Sequence, residues 1–163
     1  MALAAKARAN ELVKAGKHTD AVAFYTQALG STAFYSDLTA TLRANRAMCL
    51  LRCGDHAGAE RDASHAIAFL AAWHSADEDE EDPGYRTEPP LYKLLVKCCF
   101  RRATALMELY RVGDPVAKWC LRRALIDMAA CVYSDNEDPL FAELLTKILA
   151  MLPVEDGSEG EGN

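Results

Sequence analysis

Residues 45–67, NRAMCLLRCGDHAGAERDASHAI, repeat the pattern of an earlier stretch, residues 10–29, which reads NELVKAGKHTDAVAFYTQAL. Four pairs of positions match: Gly16 with Gly54, His18 with His56, Ala21 with Ala59 and Ala28 with Ala66. A glycine after a helical segment predicts the end of that helix, because glycine adopts the left-handed backbone conformation without strain. Each stretch is therefore expected to form two helices joined by a short turn, with small alanines where the helices approach each other.

The same helical periodicity extends along the whole chain, and strand-like alternation is nearly absent. Helices are expected at about residues 2–15, 18–30, 36–53, 56–73, 90–111, 115–133 and 139–151. Asp114-Pro115 and Asp138-Pro139 each place a capping residue before a proline, which predicts the start of a helix. A third, weaker copy of the repeated unit lies at residues 101–125, RRATALMELYRVGDPVAKWCLRRAL.

These residues resemble the tetratricopeptide repeat (TPR), a helix–turn–helix unit of about 34 residues with glycine, alanine and aromatic landmarks. The resemblance implies an all-α fold in which three such repeats stack into a right-handed superhelix, followed by a C-terminal helix that caps the open apolar end. The family's usual tyrosines are partly missing, since Ala63 stands where tyrosine is common. The expected boundaries within a single domain of residues 1–152 are repeats at about 2–35, 36–73 and 90–126, an acidic insert at 74–89, a capping helix at about 139–151, and a disordered acidic tail at 153–163.

Charge is unevenly distributed along the chain. The 163 residues are 51% apolar and carry a formal net charge of −6. Eleven acidic residues lie in or beside DEDEED, residues 77–82, or in the tail; without them and Arg86, 13 acids face 17 bases. We therefore expect a soluble globular domain in which acidic segments are attached to a mildly basic body. We expect no signal peptide and no membrane span, and we expect the six cysteines to be reduced, which favours a cytoplasmic location.

Amides and cations share helix faces at three places. Lys6 and Asn10 are four residues apart on the first helix, Asn45 lies on the third, and Lys97 and Arg101 are four apart on the fifth. This set resembles the dicarboxylate clamp of TPR co-chaperones, and all five residue types match the family's positions. The resemblance implies that these residues hold the C-terminal carboxylate and last Asp side chain of cytosolic heat-shock proteins 70 or 90, which end in Glu-Glu-Val-Asp.

Elementary chemistry agrees with that implication. A chain-end carboxylate beside an Asp side chain presents four acceptor oxygens, to which Lys and Arg donate charge-assisted hydrogen bonds and Asn donates neutral ones. Lys97 and Arg101 are both expected to be exposed. Asn10 has an alternative interpretation as a residue packed between helices; if it is not one, Asn10→Ala could stabilise the fold, because Ala is the better helix former.

A second function remains open, namely a scaffold whose groove binds an internal acidic or helical segment of an assembly partner. Residues 45–67, the long insert and VKCCFRRATALMELY at 96–110 are similar to the C-terminal TPR domain of dynein axonemal assembly factors. That similarity implies a role in dynein assembly. The acidic insert likewise has two interpretations, either a solubilising spacer or a segment that competes with the ligand for the groove.

Other functional classes lack a motif. The four histidines and six cysteines show no metal-ligand spacing, and no phosphate loop, nucleophile elbow or carboxylate pair is present. Basic segments lack the aromatic residues that nucleic-acid binding usually needs. We therefore expect no enzyme activity, no cofactor, no metal, no nucleic acid and no membrane partner.

Overall fold

The computed structural model describes residues 1–32, 36–76, 90–113, 117–135 and 137–152. Within these ranges the chain forms seven α-helices and no strand. The helices are α1 (Ala2–Lys14), α2 (His18–Leu29), α3 (Asp37–Cys53), α4 (His56–Ala76), α5 (Pro90–Arg111), α6 (Ala117–Ser134) and α7 (Pro139–Met151). The all-α prediction is confirmed, and the described helix ends lie close to the expected ones.

Some expectations fall outside the described ranges. They are the helix start at Asp114-Pro115, most of the acidic insert and the acidic tail. The insert was expected to begin at residue 74, but α4 continues to Ala76, so the first three insert residues are helical.

Glycine ends the first helix of each of the first two pairs. Gly16 and Gly54 have φ angles of 73° and 80°, a left-handed conformation that costs other residues strain. In both turns the next residue closes the same hydrogen bond, from Lys17 N to the Leu12 carbonyl at 2.9 Å and from Asp55 N to that of Leu50 at 3.0 Å. The repeat inferred from the sequence is thus present in the backbone.

Side chains cap some helices and not others. The Asp138 carboxylate accepts a hydrogen bond from Leu140 N at 2.9 Å, with Pro139 in the first turn of α7, so this predicted start is confirmed. The N-terminus of α1 has no side-chain cap, and this helix buries only Ala9 and Leu12. The side-chain cap thus distinguishes α7 from α1, although each helix buries two residues.

Small residues lie where helices cross. Twelve alanines of the described residues are buried, and all but Ala40, at 2%, have no exposed surface. They are Ala9, Ala21, Ala28, Ala40, Ala44, Ala47, Ala59, Ala63, Ala66, Ala103, Ala105 and Ala124. Larger side chains fill three clusters, of which the largest joins α5, α6 and α7. Leu144 and Ile148 of α7 complete that cluster, as a capping helix should.

An arginine ties α3 to its neighbours. Arg46 follows Asn45 directly and donates from Nη2 to Asp62 Oδ1 of α4 at 2.7 Å. Its Nη1 also donates to Thr26 Oγ1 of α2 at 2.9 Å. Asp62 is buried, so this charge needs its partner. Because Arg46 turns toward α4 and α2, it fixes the rotation of α3 and hence the direction of Asn45.

The same arrangement recurs one pair later. Arg102 follows Arg101 directly and donates to both carboxylate oxygens of Asp127 on α6, from Nε at 2.8 Å and from Nη2 at 2.6 Å. Its Nη1 donates to Ser64 Oγ of α4 at 3.2 Å. Both Arg102 and Asp127 are buried. This buried pair orients α5 relative to α6.

Alkaline pH is expected to destabilise this fold. Burial raises the pKa of the Cys98 and Cys131 thiols to about 12, and that of Cys49 and Cys99 to about 11, from an ordinary value of 9.0. The folded chain therefore holds these protons more tightly than the unfolded chain, and stability present below pH 9 is lost as pH rises toward 11–12. Each buried thiol should lower the free energy of unfolding by on the order of 1 kcal/mol per pH unit in that window.

Urea unfolding followed by circular dichroism between pH 7 and 10.5, with reductant present, measures this slope. A free energy of unfolding that stays level above pH 9 would contradict the burial of these thiols.

Candidate functional site

Two cavities adjoin along α3. The first has a volume of about 660 Å³ and lies between α1, α2 and α3; it is lined by Ala7, Arg8, Asn10, Glu11, Val13, Lys14, Tyr25, Asn45 and Met48. The second, of about 850 Å³, lies between α3, α5 and the start of α7; it is lined by Met48, Leu51, Arg52, Lys93, Val96, Lys97, Phe100, Arg101, Thr104, Ser134, Asp135, Asp138, Leu140 and Phe141. Met48 lines both. We call the two cavities together the groove.

Four of the five clamp residues predicted from the sequence line this groove. Asn10 and Asn45 face the first cavity, and Lys97 and Arg101 face the second. Lys6 is partly exposed on α1, one turn before Asn10, and lines neither cavity. The helices therefore bring the amides together and the two α5 cations together, with Lys6 outside the two cavities.

Tyr25 links the two amides, and the sequence interpretation missed it. Its hydroxyl donates to Asn10 Oδ1 at 2.7 Å, and the residue is only 1% exposed. Burial, with a smaller contribution from Cys49, raises the pKa of Tyr25 to about 12, against the opposing hydrogen-bonding effect of Asn45 and the charge of Arg101. The signal was present in the repeat alignment: Tyr25 occupies the position at which Ala63 replaces the common tyrosine.

Arg101 is half-buried, so the expectation that it is exposed was wrong. Its Nη1 donates to the carbonyl oxygen of Ala44 on α3 at 2.7 Å. Burial lowers its pKa, although Cys98, Cys49 and Tyr25 nearby favour the charged form. One guanidinium nitrogen thus holds α5 against α3, which leaves the other donors of the fork to face the cavity.

Lys97 differs from Arg101 in its surroundings. It lies one turn earlier on α5, is exposed, and forms no ion pair within the described part of the chain. Lys93 and Arg52 also line the second cavity and are exposed. This wall of the cavity is therefore cationic and accessible to an anionic ligand.

Aromatic and acidic residues also line the second cavity. Phe100 of α5 and Phe141 of α7 lie with ring centroids 5.4 Å apart, in a tilted arrangement. Asp135 and Asp138 line the same side at the start of α7. A ligand in the second cavity would thus meet cations on α5, aromatic surface beside them, and carboxylates where α7 begins.

Removing the Asn10 amide is expected to destabilise the fold. Asn10→Ala could be stabilising only if Asn10 made no contact between helices, but the buried Tyr25 hydroxyl donates to it and would lose its acceptor. That loss should cost about 1–3 kcal/mol, and Tyr25→Phe alone about 0.5–1.5 kcal/mol. The double variant should cost less than the sum, because both polar groups are then absent.

Urea unfolding of the two single variants and the double variant completes this cycle. Thr146→Val, which removes a hydroxyl from an exposed threonine of α7, serves as the control and should change stability little. Additive effects would mean that the hydrogen bond contributes nothing.

Within the described residues we find no arrangement of side chains that indicates a metal site or a reactive thiol. No group of three or more His, Cys, Asp or Glu there is placed to hold a metal ion. None of the described helices is long and apolar enough to cross a bilayer. The raised pKa values of Cys49 and Cys98 keep these thiols protonated near neutral pH, which makes them poor nucleophiles.

Known structures resemble this chain over nearly its whole length, although no family model matches its sequence. The second TPR domain of human RPAP3, solved by NMR in complex with the HSP70 peptide SGPTIEEVD, superposes with a TM-score of 0.61 at 25% identity, covering 91% of this chain and 94% of that one. The first TPR domain of Spaghetti (RPAP3), bound to the HSP90 peptide SRMEEVD, gives a TM-score of 0.62 at 22% identity, covering 91% and 93%. The chain therefore has the fold of a TPR domain.

Proposed function

We propose that this chain is a protein-interaction adaptor whose groove binds the acidic C-terminal tail of a cytosolic heat-shock protein of the 70 or 90 class. The observation that carries the proposal is the pairing of accessible Lys97 with partly buried Arg101 on one wall of the second cavity. The Asn10–Tyr25–Asn45 set lies directly beside it. The RPAP3 domain that resembles this chain binds a peptide of that kind, ending in Glu-Glu-Val-Asp.

Each group in the groove has a role in this proposal. The Lys97 ammonium and the free donors of the Arg101 guanidinium would bind the terminal carboxylate and the last Asp side chain through charge-assisted hydrogen bonds. The Asn45 amide would donate to a neutral acceptor and fix the orientation of the peptide. Tyr25 would hold the Asn10 amide in place. Lys6 would attract the acidic peptide from the edge, since it lies outside the cavities.

Binding of this kind needs no catalytic group, cofactor or metal, and it would place the protein in the cytoplasm with its chaperone partner. The adaptor role would leave client recognition to other surfaces. The proposal includes neither nucleic acid nor a membrane.

One observation favours the scaffold function as a second candidate. The position of Lys6 outside the groove leaves fewer cations around a doubly charged chain end than the full clamp would supply. An internal acidic segment has no terminal carboxylate and therefore needs fewer cations around it. The partner in that case would be an assembly protein, for example in dynein assembly.

Calorimetric titration with SGPTIEEVD tests the proposal and separates the two candidates. The free acid and its C-terminal amide differ by one negative charge and little else. A clamp should lose at least tenfold in affinity for the amide, equivalent to about 1.4 kcal/mol. A scaffold site should bind both forms equally. If neither form of the peptide binds, the clamp is overturned.

A further inference from the structure

Helix α6 has two apolar faces. One face, which includes Leu121 and Met128, is buried in the cluster formed with α5 and α7. On the opposite face Trp119, Ile126 and Tyr133 are 72, 68 and 91% exposed. A helix that is apolar on opposite sides is usually covered on both, so the outer face of α6 lacks a partner within the described chain.

The three exposed residues form one line. They are seven residues apart, which places them almost on a single stripe along the helix, and the small exposed residues Ala129 and Ala130 lie between the last two. None of the five lines either cavity of the groove. We call Trp119, Ile126, Ala129, Ala130 and Tyr133 the α6 stripe.

The exposed area of the α6 stripe is large enough for a small protein–protein interface. An aromatic side chain offers about 150–250 Å², so the three large residues expose roughly 500 Å² of mostly apolar surface. That is at the upper end of the patches that monomers expose. Two such surfaces together would bury about 1,000 Å², the lower limit for a specific protein–protein interface.

The order of residues along the stripe is self-complementary. If two α6 helices lie antiparallel with Ile126 at the centre, Trp119 of each meets Tyr133 of the other. Arg122 and Arg123 of each then lie opposite the small pair Ala129 and Ala130, where there is room for long side chains. Parallel pairing would instead place each arginine beside the same arginine of the second chain.

Charge favours the antiparallel arrangement as well. At 1.5 Å per residue, the Arg123 residues of two antiparallel copies lie about 9 Å apart along the helix axis, whereas parallel helices would bring them together. Like charges directly opposite one another are destabilising. The stripe therefore matches a second copy of itself about a two-fold axis, as isologous dimers require.

We propose that the α6 stripe is a homodimer interface in which two α6 helices pair antiparallel about Ile126. Each copy keeps its groove free, because the stripe residues do not line it. This inference is independent of the ligand that the groove binds.

Sedimentation equilibrium of the chain from about 1 to 500 μM tests the proposal. The mass should rise from 17.8 kDa toward twice that value with increasing concentration. Ile126→Glu, which sets two carboxylates face to face at the two-fold axis, should raise the dimer dissociation constant at least tenfold. Leu149→Glu is the matched control, an exposed leucine on α7 outside the stripe, and should leave the dissociation constant unchanged.

A charge pair tests the orientation. Trp119→Lys and Tyr133→Glu should each weaken the dimer, whereas the double variant should regain it, because antiparallel helices set each lysine opposite a glutamate. Circular dichroism checks that the variants fold. Titration of Ile126→Glu with SGPTIEEVD should give the affinity of the parent chain, which separates dimer formation from peptide binding in the groove. A chain that stays monomeric throughout, a dimer unaffected by Ile126→Glu, or a double variant that remains weak would overturn the proposal.

Discussion

Asp127→Ala is expected to lower the free energy of unfolding by about 3–5 kcal/mol, because it leaves the buried Arg102 guanidinium without its counter-ion. Both Arg102 N–H donors that bind the carboxylate would lose their acceptor, and only the contact with Ser64 would remain. A loss of this size approaches the whole stability of many small domains. Urea unfolding at pH 7, followed by circular dichroism, measures it.

The chain offers a control ion pair of the same length at the surface. Lys147 Nζ and Glu143 Oε1 of α7 are 2.6 Å apart, the same distance as Arg102 Nη2 and Asp127 Oδ1, but both side chains are more than half exposed. Lys147→Ala should therefore change stability little, because water replaces the lost contact. Arg102→Met combined with Asp127→Leu should recover part of the loss, since no buried charge remains. A small effect of Asp127→Ala alone would show that the pair does not hold the fold.

Lys97→Ala is expected to weaken binding of SGPTIEEVD by about 1.5–3 kcal/mol, the range for a hydrogen bond to a charged group. Its stability should remain near that of the parent chain, because Lys97 is exposed. Calorimetric titration measures the affinity, and Lys147→Ala, an exposed lysine away from the groove, is the control. Unchanged affinity in Lys97→Ala would remove the clamp from consideration.

Arg101→Ala should behave differently from Lys97→Ala in one respect. It should lose affinity to a similar extent and also lose stability, since the hydrogen bond to the Ala44 carbonyl ties α5 to α3. Comparing the two variants therefore separates the binding role of a cation from its role in packing. Asn45→Ala should weaken binding by less than either, because it removes a neutral donor.

The fold was predictable because its signals are local. Gly16 and Gly54 end their helices in the left-handed conformation, and Asp138-Pro139 begins α7 as expected. These features depend on a few neighbouring residues, so a sequence displays them directly. Where the signal was weaker, at the end of α4, the predicted boundary came three residues too early.

The site was predictable only in part, because it depends on contacts between distant residues. The faces that carry Asn10 and Asn45 followed from helical periodicity. The burial of Arg101 could not be predicted from that periodicity, because it depends on how closely α5 approaches α3. The hydrogen bond from Tyr25 to Asn10 was not predictable either, because the two residues are fifteen positions apart in the sequence. The position of Lys6 outside the cavities depends in turn on the tilt of α1, which no local pattern encodes.

The weak anchoring of α1 bears on how a ligand is recognised. This helix buries only Ala9 and Leu12, whereas α3 and α5 each bury six or more residues, so α1 should open locally more often than either. It also carries Asn10, one of the two amides of the first cavity. The ligand would then bind a preformed cationic wall first and order α1 afterwards. Part of the binding energy would be offset by the conformational entropy that α1 loses, which favours rapid exchange of bound partners over long residence.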